Sequence, residues 1–240
     1  MSEDEHPLPI AWSSCLPPAS RLRPASSTRR WGLMDAAVGV ALAVFLLLLV
    51  PTLRLPAPWS SLAALLAVWV SLLGCVLIAS YAHGSGSLVR DFGLRFTGMD
   101  VLVGLFVGLA LRSVVFTLEL LAFGHIATAP VTLGPIVHDG WWLFGTILAP
   151  VLIAPVVEEL FFRGLLQRSI PTHLPFAIFA SATVFALVHL LGGYSWFAAA
   201  TTFIVGITVG ILAGRSGRLG SAIVAHFAFN DSLTVVVLLV

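Results

Sequence analysis

Six polar side chains interrupt otherwise apolar sequence in the C-terminal part of this chain: Glu158, Glu159 and Arg163, then His189, then His226 and Asn230. Within a membrane-length apolar run each ionisable group costs roughly 2.5 to 3.5 kcal/mol on insertion scales, so each needs a reason to be there. On a helix, Glu159 and Arg163 are four apart and pair along one face, whereas Glu158 is turned about 100 degrees away and is free to face something else. His226 and Asn230 share a face at the same spacing, and Phe185 lies four residues before His189, where it can buttress the imidazole. A carboxylate beside a neutral histidine can hold and deprotonate water, either as a general base or with a metal bound between them. A second histidine with an amide can donate hydrogen bonds to the oxyanion formed when that water attacks a carbonyl. The set suits hydrolysis of a peptide bond.

The elements that must position these groups are membrane spans. The chain has 240 residues, 59% hydrophobic and only 10% charged, with a mean hydropathy of +1.04. A soluble domain carries roughly 25% charged residues, so this composition indicates a membrane protein. A net charge of +1 gives no reason to expect a nucleic-acid partner. Apolar stretches near the roughly 20 residues needed to cross a bilayer run from Leu33 to Leu53, Ser61 to Ala82, Met99 to Ala122, Trp141 to about Leu166, Pro175 to Leu191, Trp196 to Ala213 and Leu219 to Val240. Backbone polar groups in lipid must be satisfied within the segment, and continuous leucine and valine runs fit helices better than alternating barrel strands. The expected fold is an all-α bundle of about seven spans over residues 31–240, preceded by a disordered cytoplasmic tail, 1–30, rich in proline and polar residues.

Seven spans place Arg21, Arg23, Arg29, Arg30, Arg90, Arg95, Arg163, Arg168, Arg215 and Arg218 on one side, leaving Arg54 on the other and Arg112 within a span. Positively charged residues near span ends stay cytoplasmic, so the expected orientation in the plasma membrane, of a bacterium, has the N-terminus inside and the C-terminus outside. Gly104 and Gly108, and Gly206, Gly210 and Gly214, recur at the four-residue spacing that lets helix backbones approach closely. Pro155 cannot return an amide bond to Val151, so the fourth span is expected to kink beside Glu158. Trp31, Trp59, Trp141, Trp142 and Trp196 fall at span ends, where aromatic rings settle among headgroups. His6, His83, His125, His138 and His173 fall in the tail or in loops and are expected to be solvated. Cys15 and Cys75 form no disulfide or metal pattern.

Glu158-Glu159-x-x-x-Arg163, Phe185-x-x-x-His189 and His226-x-x-x-Asn230 resemble, in order and internal spacing, the three motifs of the CPBP family of intramembrane proteases, which includes CAAX prenyl endopeptidases and Abi-type proteins associated with bacteriocin processing or self-immunity. The resemblance covers residues 141–240. It implies an endopeptidase in which Glu158 and His189 activate water, Glu159 and Arg163 support the site, and His226 and Asn230 stabilise the oxyanion. The implied partners are the bilayer and a peptide or protein substrate at the membrane. No His-Glu-x-x-His zinc signature occurs. Glu158, His189 and His226 would ligate a divalent ion such as zinc if one binds, whereas Asn230 suits a metal-free oxyanion hole; both readings stay open.

Two other function classes compete. One is a non-catalytic immunity or adaptor protein of the same fold; the other is a small transporter with Glu158, Glu119 and Arg112 as an ion relay. Arg112 and Glu119, seven apart, are expected to pair or to line the cavity, and Asp231 has no role in the pattern. Counting 1.5 Å of rise per residue, His189 is expected to lie about a helical turn too deep to meet Glu158 unless tilt or an out-of-plane connection after Ser169 corrects it.

Overall fold

The computed structural model describes residues 31–56, 59–125, 140 and 144–239, together with the side chains of all of these but 145–147 and 232–239. The expected tail, 1–30, and Trp141, Trp142 and His138 lie outside the described residues. The described residues are helical, with no strand among them. Helix α1 is Leu33–Leu49, continued by a 3-10 turn at Val50–Leu53; α2 is Trp59–Tyr81, α3 Leu88–Phe92 and α4 Gly98–Phe123. Next comes a composite helix, α5, built from consecutive segments Phe144–Ile153, Ala154–Glu159, Leu160–Leu166 and Gln167–Ser169. It is followed by α6, Leu174–Leu191, α7, Trp196–Ser216, and α8, Gly220–Leu239. Five of these, with α1 extended through its 3-10 turn to Leu53, plus α2, α4, α6 and α7, are long and apolar enough to cross a membrane. The two other apolar stretches expected to span are helical as well, as α5 and α8.

The bundle has an apolar interior and an equally apolar exterior. Phe92, Phe161, Phe162, Leu165, Phe185 and Leu219 are almost fully buried, whereas Phe106, Leu121 and Met99 are largely exposed. An apolar exterior of this kind is what a lipid surround permits. Helix α4 crosses α8 at the expected glycines: a methyl group added at Gly104 would strike Val224 and the Ser221 carbonyl, and one at Gly108 would strike the Ala225 carbonyl and Ala228. Gly206, Gly210 and Gly214 likewise sit against Ala182, Ile178 and Leu174 of α6. The glycine stripes are helix-packing surfaces.

Helix α5 departs from regular α geometry rather than simply kinking. Phe144–Ile153 and Leu160–Leu166 are π-helical, and Ala154–Glu159 between them is α-helical. The first π segment stops where its next bond, from residue 155 to the carbonyl of Pro150, would need an amide hydrogen that Pro155 lacks. Pro155 therefore acts on register, and the carbonyl it leaves over belongs to Pro150.

One end of the bundle gathers the arginines of the described span ends and loops other than Arg54. Glycines in the left-handed conformation close α3 and α7 there, Gly93 at φ +72° and Gly217 at φ +67°. The Gly93 carbonyl accepts from Leu219 N at 2.9 Å, and the Gly217 carbonyl accepts from Arg168 Nη2 at 3.0 Å. Arg218 pairs with the buried Asp100 at 3.0 Å, a bond that lifts the guanidinium pKa above its ordinary value. Although burial pushes the Asp91 carboxyl up, hydrogen bonds from Ser80 and Ser85 outweigh it and hold it below the usual carboxylate range. Two expectations change at this end. Trp31 is buried against Phe92, ring centroids 4.9 Å apart, rather than standing among headgroups. His83 bonds Asp35 at 2.7 Å instead of being merely solvated. Trp59 and Trp196, by contrast, are well exposed at helix starts.

Substituting Gly108 by valine should overpack the α4–α8 crossing and cost about 1 to 3 kcal/mol. Gly74, which has open space where a side chain would go, should accept alanine without loss. Thermal unfolding of the two variants in detergent checks the contrast.

Candidate active site

The fully buried Glu159 carboxylate is the inner anchor of the site. Its Oε1 accepts from Arg163 Nη1 at 2.9 Å and lies 2.9 Å from His226 Nδ1. The i,i+4 spacing survives because the pair straddles the start of the second π segment without losing the shared face. Arg163 also donates from Nη2 to the Gly206 carbonyl of α7 at 3.2 Å, and its guanidinium lies over the Phe185 ring at 4.5 Å. This cation thus joins α5, α6 and α7. A carboxylate can only accept, so His226 Nδ1 carries the proton and His226 Nε2 faces the other way. There it meets Glu158 Oε2 at 3.7 Å. His226 stands between the two glutamates.

Glu158 and His189 both line one cavity of about 280 Å³, together with Trp69, Pro150, Tyr194 and Asn230. His189 Nδ1 lies 2.9 Å from the Phe185 carbonyl. Because a carbonyl accepts, the Nδ1 hydrogen is committed there, and in the neutral ring the lone pair is on Nε2. The same bond resolves the depth mismatch. Helical side chains lean toward the N-terminus of their helix, so the His189 ring folds back a turn along α6 onto Phe185, ring centroids 4.5 Å apart. Phe185 also meets His226 edge-on at 5.9 Å and so contacts both imidazoles. Its expected buttressing role extends to both histidines.

Asn230 takes the carbonyl that Pro155 leaves over: its Nδ2 donates to the Pro150 carbonyl at 2.9 Å. An amide nitrogen carries two hydrogens, so one remains for the cavity that Asn230 lines. Arg112 of α4 donates from Nε to the Phe229 carbonyl at 2.9 Å and stacks on the Phe229 ring at 3.7 Å. It therefore grips α8 one residue before Asn230.

The described geometry brings Glu158, His189 and Asn230 to one wall-to-wall cavity and sets Glu159, Arg163 and His226 behind it. His226 differs from its expected place on the cavity wall: it is buried and reaches the cavity only through Glu158. No group of three His, Cys, Asp or Glu side chains able to hold a metal converges among the described residues. Glu158, His189 and His226 thus do not converge as the ligand set considered for zinc, although each imidazole keeps Nε2 free of the bond its Nδ1 makes. Tyr194, Trp69 and Pro150 line the cavity without having been singled out. The one sequence signal for Tyr194 is its place just after the Gly192-Gly193 break that ends the His189 helix.

Fold and site together define a polytopic helical membrane protein with a buried carboxylate–histidine centre. Residues 140–231 match the family model described as "Type II CAAX prenyl endopeptidase Rce1-like", in agreement with the CPBP resemblance of the three motifs. That family suggests intramembrane endopeptidase activity in general and a peptide or protein substrate at the membrane. The match covers less than half of the chain. Neither the curated proteins nor the solved structures contain a match.

Removing the guanidinium with Arg163→Met should leave the buried Glu159 charge short of its cation and cost about 3 to 5 kcal/mol of stability. The double variant Glu159→Gln, Arg163→Met should lose less than the sum of the two single changes. Unfolding midpoints of the three variants in detergent measure this coupling.

Proposed function

We propose that the protein is an intramembrane endopeptidase that hydrolyses a peptide bond of a membrane-associated peptide with water activated by Glu158 and His189. The observation that carries this reading is the shared cavity: an acceptor-only carboxylate and an imidazole whose Nδ1 hydrogen is already committed face the same space. Water held between Glu158 and His189 Nε2 gives its proton to the Glu158 carboxylate as its oxygen attacks the peptide carbonyl carbon. The free hydrogen of Asn230 Nδ2 donates to the oxyanion. The C–N bond then breaks as the protonated Glu158 returns the proton to the leaving nitrogen. Glu159 and Arg163 fix the His226 ring, which packs behind Glu158 with Nε2 3.7 Å from Oε2; these three are positioning residues.

Direct activation of water by protein groups is favoured over a three-ligand metal centre because no three His, Cys, Asp or Glu side chains converge on one point among the described residues.

Glu158→Gln and His189→Ala should each lower cleavage of a reporter peptide by about 10²- to 10⁴-fold, the usual contribution of a general base, with unfolding midpoints close to that of the parent. Activity of the purified protein should survive chelation. Cleavage by Glu158→Gln at the parent rate would remove the mechanism, and loss of activity on chelation with recovery on adding zinc would replace it with a metal-dependent one.

A further inference from the structure

The cavity occupies one half of the bundle, and the arginines crowd the other. Leu47 and Ser61 lie where α1 ends and α2 begins, Trp69 in the same half of α2, Pro150 in the first part of α5, and Gly192 and Tyr194 in the turn joining α6 to α7. None of the residues lining the cavity comes from the end where α2 leads into α3, α5 into α6, or α7 into α8. That opposite end is closed by specific bonds. Arg168 reaches the Gly217 carbonyl, Leu219 N reaches the Gly93 carbonyl, Arg218 pairs with Asp100, and Phe92 is buried beneath Trp31. Below Glu158, the segment Leu160–Leu166 is buried at every position, which packs the interior between the carboxylate and the arginine end.

Arg90, Arg95 and Arg218 lie in the connections at the closed end, Arg168 and Arg215 in the last turns of α5 and α7 there, and Arg21, Arg23, Arg29 and Arg30 precede α1, which starts there. Arg54 is the one described arginine in a connection at the cavity end. Arginine near span ends is retained on the cytoplasmic side. We infer that the cavity opens on the extracytoplasmic face of the membrane, so that the substrate is a peptide segment displayed outside the cytoplasm, such as a translocated peptide or the outer flank of a membrane span. A lipid-modified C-terminus held at the cytoplasmic surface would meet the sealed, arginine-bearing end. The inference rests on the hydrolytic reading for its substrate and on the charge and cavity placement alone for its sidedness.

The test uses the full chain with Cys15→Ser and Cys75→Ala as background, into which Tyr194→Cys, Ser61→Cys or Ser85→Cys is introduced. A membrane-impermeant maleimide should label Tyr194→Cys and Ser61→Cys in intact cells and leave them unlabelled in sealed inside-out vesicles; Ser85→Cys, at the arginine end, should behave in the opposite way. The inverse pattern, labelling of all three from both sides, or no labelling of the half-exposed Tyr194→Cys would overturn the sidedness. In parallel, one reporter peptide is tethered to the membrane on the outer face and the same peptide on the inner face, both exposed to the parent protein. Cleavage confined to the outer reporter supports the inference, and cleavage of the inner one contradicts it. Labelling as expected with neither reporter cut would overturn the hydrolytic reading and leave the sidedness standing.

Discussion

A carboxylate removed from all solvent in a lipid-embedded bundle is tolerable only if its charge is answered at contact distance, and Glu159 is answered twice, by Arg163 and by His226. That cluster fixes much of the interior. Arg163 ties α5 to the Gly206 backbone of α7 and rests on the Phe185 ring of α6, while His226 brings in α8. Four helices therefore meet around one charged group. Glu158, the preceding residue in sequence, is delivered to the cavity because the helix that buries Glu159 inward must turn its neighbour another way.

Backbone accounting does comparable work on the other side of the cavity. In lipid an orphaned carbonyl has no water to fall back on. Pro155 ends the first π segment by withholding its amide, and Asn230 supplies the missing donor to Pro150 across the helix interface. The same bond orients the amide so that its second hydrogen is available to the cavity. Arg112, holding the Phe229 carbonyl, keeps α8 in the register that this requires. A residue expected to pair with Glu119 or to line the cavity is not among the cavity-lining residues and becomes part of the frame.

Much of this was legible in the sequence because it depends on helical spacing. The pairing of Glu159 with Arg163, the placing of Phe185 beside His189, the glycine crossings and the apolar helices all follow from residues three or four apart or from run length. What depends on the third dimension was not legible. His189 looks a turn too deep when only Cα rise is counted, since the count ignores the lean of its side chain toward Phe185. The π segments change the rise and facing of α5 in a way that Pro155 hints at but does not specify, and His226 and Asn230, alike in spacing, diverge to serve the back of Glu158 and the front of the cavity. Tyr194 carries no spacing signal, being brought to the site by the turn after Gly193. Trp31 shows the converse error, since a span-end tryptophan was captured by a buried seam with Phe92.

The central claim is that water, positioned by Glu158 and His189, attacks the substrate directly. A single-turnover reaction with enzyme in excess, run in water enriched in the heavy isotope of oxygen, tests it. Direct attack predicts that the new carboxylate of the first-turnover product carries the heavy oxygen. A first-turnover product bearing ordinary oxygen, with the label appearing instead on the Glu158 carboxylate, would show that the glutamate itself attacks and would contradict the account.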